Sequence, residues 1–269
     1  STGSIGQTTL DIIKENKSHY QIDLLTTNKN FNKIFLQAKK FKVKNLIIHN
    51  IKVFNDKQNF LRKMKINVYQ NIFDFKKNYK SKLDYTMSSI TGLNGLEPTL
   101  EIINSTKKIA IANKESIICG WNLIRKKLDR HKTKFVPVDS EHFSISQLLK
   151  NVSKDTIKKV YITASGGPFL KIEKKKLKNF SPRSAVKHPT WKMGKKISVD
   201  SSTLINKVFE LIEAKKIFSL KYSQLNIIIQ PTSYVHGIVD FSNGTSEILI
   251  HPTSMKIPIY NSIVSEKKF

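Results

Sequence analysis

The first half of the chain alternates two kinds of apolar segment, and that alternation restricts the fold more than any other feature. Residues 21–26, 43–48, 67–69, 83–88 and 108–112 read as short strands. Residues 7–13, 32–40, 60–64 and 98–105 carry helical spacing between them. Strands alternating with helices imply a parallel, doubly wound α/β sheet, whose ligands sit beyond the carboxyl ends of the strands. At 269 residues the chain has room for about two domains.

The chain opens on Ser1-Thr2-Gly3-Ser4-Ile5-Gly6, a glycine-rich turn leading into a helix and then a strand. This has the size of a βαβ unit that lacks its first strand. In such a unit the glycines let the backbone approach a pyrophosphate, and the helix N-terminus attracts its charge. The next strand ends in Thr26-Thr27-Asn28-Lys29-Asn30 with no acid, and a lysine between two asparagines suits a ribose 2′-phosphate, which favours NADP(H). Asn113-Lys114-Glu115-Ser116 lies at another strand end, where it reads either as a surface pair or as the rim of the cofactor site.

Near residue 138 the pattern changes. Val138-Asp139-Ser140-Glu141-His142 follows the strand-like Phe135-Val136-Pro137. In extended backbone Asp139 and Glu141 share one side and Ser140 and His142 the other. Two adjacent carboxylates repel unless a cation sits between them, and Mg²⁺ or Mn²⁺ fits such a pair. A lone D-x-E is more often a loop of solvated acids, so the pair needs a third ligand. Residues 198–203 supply N-cap candidates for a helix running to about Phe218, with Leu204, Val208, Leu211 and Ile212 as its buried stripe. Asn206, Glu210 and Glu213 share another face, with Lys207 beside it. Glu210 on that face is a candidate third carboxylate for the ion, and Asn206 and Lys207 suit a phosphate and hydroxyls. Ser165-Gly166-Gly167 after a strand offers a phosphate nest, although a simple tight turn is the commoner use. His188-Pro189-Thr190-Trp191-Lys192-Met193-Gly194 reads as a lid.

Charge alone points elsewhere. The net charge of +27 suits a nucleic-acid binder. Only four of the 47 basic residues are Arg, the residue that leads in base and phosphate recognition, and the lysines are spread over the whole length. The expectation is therefore no nucleic-acid partner, with the charge steering small anions instead. No apolar run reaches the roughly 18 residues of a membrane span. The single cysteine, Cys119, reads as a small buried hydrophobe and fits a reducing compartment.

Taken together, STGSIG at 1–6, ANKES at 112–116, VDSEH at 138–142, SGGPF at 165–169 and HPTWKMGKKISVDSST at 188–203, with Asn206, Lys207 and Glu210, resemble the 1-deoxy-D-xylulose 5-phosphate reductoisomerase family. They run in the family's order at close to its spacing. The resemblance implies a Rossmann-like NADPH-binding domain over 1–137 and an α/β catalytic domain over 138–269, with the family's opening strand and C-terminal helical domain absent. It implies NADPH contacts at Thr2, Gly3, Ser4, Ile5, Asn28, Lys29, Asn30, Asn113, Glu115 and Gly194. It implies metal ligands at Asp139, Glu141 and Glu210, holding Mg²⁺, Mn²⁺ or Co²⁺. Substrate contacts fall on Ser140, Ser165, His188, Ser201, Asn206 and Lys207, with Lys114 also facing the substrate and Trp191 covering it. Lys114, Asp139, Glu141, His188 and Glu210 make up the catalytic set. The implied substrate is a phosphorylated ketose, the assembly a homodimer, and the setting a bacterial-type cytoplasm, with plastid import open because any targeting peptide would lie upstream of Ser1. Another NADP-dependent dehydrogenase, an inactive remnant and a nucleic-acid-binding polycation are the competing readings. Asn28 stands where the family often has Gly, and Gln230 where it usually has His. The run His251-Pro252-Thr253-Ser254-Met255 departs from G-x-P-D-M.

Overall fold

The structure, a computed structural model, describes residues 1–187, 191 and 194–264. The chain divides into two compact units, one made of Ser1–Ser116 and Asn122–Val136, the other of Ile117–Trp121 and Pro137–Phe269. No helix among the described residues is long and apolar enough to cross a membrane.

The first unit alternates as expected. Its elements are α1 (Ser4–Glu15), β1 (Leu25–Thr27), α2 (Phe31–Phe41), β2 (Asn45–Ile48), α3 (Ile51–Lys63), β3 (Asn67–Tyr69), α4 (Ile72–Asn78), β4 (Leu83–Ser88), α5 (Leu96–Ile102), β5 (Thr106–Ile111), α6 (Lys114–His131) and β6 (Lys134–Pro137). The lysine- and asparagine-rich composition is put to structural use. Asn30, Asn50, Asn71 and Asn113 each cap a helix, accepting from a backbone N–H three residues on. Lys42 and Lys132 close α2 and α6 in the left-handed conformation usually given to glycine. Ile34 and Ala38 from α2, Leu46 and Ile48 from β2, Leu61 from α3 and Val68 from β3 form one core.

The strands form two three-stranded sheets, β1-β2-β3 and β4-β5-β6, with β1–β2, β2–β3 and β4–β5 parallel. This corrects the expectation of one doubly wound sheet, because no ladder joins the two among the described residues. Cys119 is also corrected. It is exposed, since it falls on the solvent side of α6 while its neighbours Ile117 and Gly120 are buried.

The second unit contains α7 (Ser140–Leu148), β7 (Ile157–Ala164), α8 (Pro182–Ala185), α9 (Lys195–Ser202), α10 (Ile205–Phe218), β8 (Leu225–Ile229), β9 (Val235–Phe241), β10 (Ser246–Ile250) and α11 (Lys256–Val264). Its sheet has the order β10-β9-β7-β8, with β7–β8 parallel and the other pairs antiparallel. Gly244 takes φ +87° between β9 and β10, as the Asn-Gly hairpin signal requires. Helices α7 and α10 pack on this sheet. Ile145, Val160, Ile162, Ala214 and Val239 are buried between them.

Candidate active site

Strand β6 ends at Pro137, and two residues later Asp139 turns the chain into α7. Its Oδ1 accepts from the Glu141 backbone N–H at 3.3 Å, capping the helix. Asp139 and Glu141 therefore do not alternate along extended backbone, because the helix begins at Ser140. The reason is local: an aspartate one residue before Ser-Glu is a strong helix start. The two carboxylates still converge, because one comes from the cap and the other from the first turn.

The third acid comes from α10. The expected single helix from residue 198 is two helices, broken where Leu204 takes φ +60°. Residues 198–202 lie inside α9, which is capped by Gly194 instead. Helix α10 keeps only part of the apolar stripe read from the sequence, with Leu211 packed against the core and the N-terminal part of the stripe turned outward. Leu204 and Val208 are 39% and 47% exposed, while Lys207 and Glu210 are 7% and 1% exposed, with Asn206 and Glu213 buried beside them. Burying charge is costly unless it is paired, and here the polar face supplies its own partners.

Lys207 Nζ donates to Glu141 Oε1 and, at 2.6 Å, to Glu210 Oε2. Asn206 Nδ2 donates to Glu210 Oε1, and the Ser140 hydroxyl donates to Glu141 Oε2. Burial alone would lower the pKa of the Lys207 ammonium. The carboxylates of Glu141, Glu210 and Asp139 outweigh that and hold it above the usual lysine range. One oxygen each from Asp139, Glu141 and Glu210 lie within 4.8 Å of one another. Three hard oxygen donors at this spacing fit Mg²⁺ or Mn²⁺. Among the described residues the buried Oδ1 of Asn206 has no hydrogen-bond partner, which leaves an acceptor for a ligand hydroxyl.

Two supporting residues had no role in the sequence reading. His142 is fully buried; its Nε2 donates to the Glu210 carbonyl at 2.9 Å, and its Nδ1 lies 3.2 Å from Asp139 Oδ1 and 3.8 Å from Glu213 Oε2. It thus ties α7 to α10 behind the three acids. The signals were present, since His142 closes the VDSEH run and Glu213 stands one turn beyond Glu210.

The remaining candidates divide between the units. In the second, the Ser165-Gly166-Gly167 turn meets the end of α9: a Cβ on Gly167 would lie 2.7 Å from the Ser201 carbonyl oxygen. Gly166 and Gly167 take φ +89° and +69°, so this turn needs its glycines. Gly167 is thereby set against the backbone of Ser201. Gly194 caps α9 with open space around it. His188 and the rest of the expected lid except Trp191 and Gly194 lie outside the described residues. Trp191 rests edge-on against His236, ring centroids 6.0 Å apart.

In the first unit, Gly3 caps α1 without a side-chain hydrogen bond, and a Cβ there would meet nothing within 4 Å. Backbone N–H groups of Ser4 and Ile5 head the helix beside it. Thr2 Oγ1 lies 3.1 Å from Thr27 Oγ1, setting the turn against the end of β1. Asn28 and Lys29 are exposed just beyond that strand, and the Asn30 side chain caps α2. Asn113 is more committed than the sequence implied. Its Oδ1 caps α6 at 2.6 Å from Ser116 N, and its Nδ2 donates to the Ile90 and Gly92 carbonyls. It can offer a ligand little besides backbone. Lys114 and Glu115 form the first turn of α6.

Comparison with known proteins follows the same division. The family model for 1-deoxy-D-xylulose 5-phosphate reductoisomerase matches residues 1–120, and the model for that enzyme's C-terminal domain matches residues 135–218. The expected absence of the family's C-terminal helical domain therefore gains no support from the family models. A 1-deoxy-D-xylulose 5-phosphate reductoisomerase of Pelagibacter ubique is 56% identical over 98% of this chain and 68% of its own length. One from Wolbachia pipientis is 40% identical over 96% and 66%. Among solved structures, a DOX-P reductoisomerase in complex with NADPH, fosmidomycin and magnesium superposes with a TM-score of 0.89 at 32% identity, covering 100% of this chain and 69% of that one. The Zymomonas mobilis enzyme in complex with NADPH gives 0.87 at 34% identity, covering 97% and 68%. The chain spans about two thirds of the length of these relatives.

Proposed function

This chain belongs to the 1-deoxy-D-xylulose 5-phosphate reductoisomerase family, and we propose that it converts 1-deoxy-D-xylulose 5-phosphate to 2-C-methyl-D-erythritol 4-phosphate, using NADPH and a divalent metal ion. The observation that carries the reading is the convergence of Asp139, Glu141 and Glu210. When bound, the ion supplies Lewis acidity to the rearrangement and NADPH supplies the hydride. The chain's own residues do the rest.

Asp139, Glu141 and Glu210 hold the ion. Lys207 and Asn206 turn from these carboxylates to the sugar phosphate, with Ser140, Ser165, Ser201 and His188 as further contacts. Binding the remote phosphate stabilises closure of Trp191 over the reacting carbons and exclusion of water. Lys114 and Glu141 are the two groups suited to moving hydroxyl protons. In the first unit, the uncapped start of α1 at Thr2, Gly3, Ser4 and Ile5 receives the pyrophosphate. Asn28, Lys29 and Asn30 receive the adenosine end, and the backbone at Asn113 and Glu115 adds to the NADPH contacts of this unit. Residues 1–137 thus serve as a Rossmann-like cofactor domain and 138–269 as the catalytic domain. The two edge strands of this sheet each carry exposed apolar residues, Ile227, Ile228 and Ile229 on β8 and Ile248 and Ile250 on β10, and such an edge suits pairing with a second copy in a homodimer.

The test is NADPH oxidation with 1-deoxy-D-xylulose 5-phosphate, with Mg²⁺ and with chelator. Turnover should require both sugar phosphate and metal. Glu210→Gln should abolish it while leaving NADPH affinity nearly unchanged, and turnover equal to the parent would remove Glu210 from the ligand set.

A further inference from the structure

Outside the carboxylate cluster, the second unit holds a column of four aromatic rings, of which the proposed mechanism uses only Trp191. Trp191 meets His236 edge-on, at 6.0 Å and 79°. His236 lies flat on His251, with centroids 3.6 Å apart and planes 8° apart. His251 in turn meets Phe143 at 6.2 Å and 60°. Phe143 stands on α7, two residues after Glu141.

The strands build this column deliberately. Leu249 of β10 pairs with Gly237 of β9, but the next residue, Ile250, pairs with Val235, so the register skips His236. A bulge of this kind re-aims the side chain it carries. The His251 backbone N–H then donates to the Tyr234 carbonyl, so the chain continues in the shifted register. Both rings are held by carbonyls, which can only accept. His236 Nε2 donates to the His251 carbonyl at 3.1 Å, and His251 Nδ1 donates to the Pro252 carbonyl at 2.7 Å. Each ring therefore has a fixed plane. The rings are also enclosed, His236 at 2% exposure and His251 at 7%. Among the described residues the Nε2 of His251 has no hydrogen-bond partner. A filler of this space would be apolar and would leave no buried acceptor unsatisfied. What the imidazole contributes is a flat face in a locked orientation.

We propose that His251 is a positioning residue: stacked against His236, it fixes the seat on which the Trp191 indole rests over the sugar-phosphate site. The effect on substrate rests on the reductoisomerase reading, whereas the seat itself does not.

Two variants separate the ring from mere filling. His251→Leu fills the space without a flat face, and His251→Phe keeps one. The first measurement is acrylamide quenching of Trp191 emission, taken as the difference from the matching Trp191→Phe protein because Trp121 also emits. Quenching should rise about twofold in His251→Leu, as the indole loses its packed neighbour, and stay at the parent value in His251→Phe. This needs no substrate, so it decides the seat even if the parent fails to turn over deoxyxylulose phosphate, which would sink only the functional reading. The second measurement is the split between Michaelis constants. In His251→Leu the KM for the sugar phosphate should rise about tenfold, the size of one lost aromatic contact, with the KM for NADPH unchanged. A merely structural role would lower the melting temperature of both variants without that split. Parent-level quenching in His251→Leu, or loss of shielding in His251→Phe as large as in His251→Leu, overturns the proposal.

Discussion

Lys207 offers the sharpest test of how the carboxylate cluster is held together. Its ammonium bridges Glu141 and Glu210, and it is 7% exposed. Lys207→Met keeps the length and most of the apolar stem but removes the charge. Two buried carboxylates then lose their shared counter-ion. Removing one partner of a buried pair costs about 3–5 kcal/mol, because the remaining charge stays desolvated. At roughly 2–4 °C per kcal/mol for a chain of this size, the metal-free melting temperature should fall by about 10 °C. The same pairing competes with a bound ion for the Glu141 and Glu210 oxygens. Without it the ion has less to displace, and each 1.4 kcal/mol released is about tenfold in affinity. Mn²⁺ should therefore bind Lys207→Met at least about tenfold more tightly than the parent, and saturating Mn²⁺ should recover about 3 kcal/mol of the lost stability. Calorimetric titration with Mn²⁺ and thermal melts with and without it measure both. A metal-free melt equal to the parent's, or weaker Mn²⁺ binding in the variant, would show that the ammonium is not the counter-ion of this cluster.

Three further outcomes follow from other positions. Leu204 holds φ +60° at 39% exposure, so Leu204→Gly should raise stability by about 0.5–1 kcal/mol in urea unfolding; a loss of stability would mean the leucine packs against something more valuable than the strain it carries. His236 sits below the usual imidazole value, first because of burial and then because of His251, with Glu141 acting in the opposite direction. A base whose folded pKa is depressed contributes fully above its unfolded value near 6.5 and loses stability as pH falls below it. Between pH 7.5 and 5.5 the parent should therefore lose more unfolding free energy than His236→Phe, and parallel losses would contradict the assignment. Glu101 accepts from Lys76 at 2.9 Å and Lys127 at 3.0 Å; although burial raises its pKa, those two lysines outweigh burial and hold it below the usual carboxylate range. Glu101→Gln should cost about 1 kcal/mol at pH 7 and nothing once the pH has fallen through the folded value, below 4.5, as urea unfolding across that range would report.

The alternation of the first unit was legible because it rests on periodicity, and the acids were legible because their residue types are chemically restrictive. What stayed hidden has physical causes. Pattern reading assumes that the apolar side of a helix faces inward, so it put Leu204 and Val208 in the buried stripe of α10, although both are exposed. A polar face that satisfies itself, as Asn206, Lys207, Glu210 and Glu213 do, leaves no trace in hydrophobic spacing. The break at Leu204 was equally silent, since leucine is a good helix former and seldom adopts the left-handed region. Asn113 failed in another way. Its place at a strand end made it look like a ligand contact, yet a residue that caps a helix and anchors the Gly92 turn has the same address.

The buried charges also explain why a surface so rich in lysine does not neutralise this site. Asp139, Glu141, Glu210 and Glu213 bring four carboxylates together around one ammonium, Lys207, and one imidazole, His142. The carboxylates outnumber the cationic groups beside them, so the cluster keeps a net negative charge. Exposed lysines act on such a cluster only through water and salt, and their field falls off within about 10 Å at ordinary ionic strength. A cation at the oxygens themselves is not screened in that way. The cluster thus favours a cation at short range. The scattered lysines act at longer range, where they draw in an anionic sugar phosphate and an anionic dinucleotide.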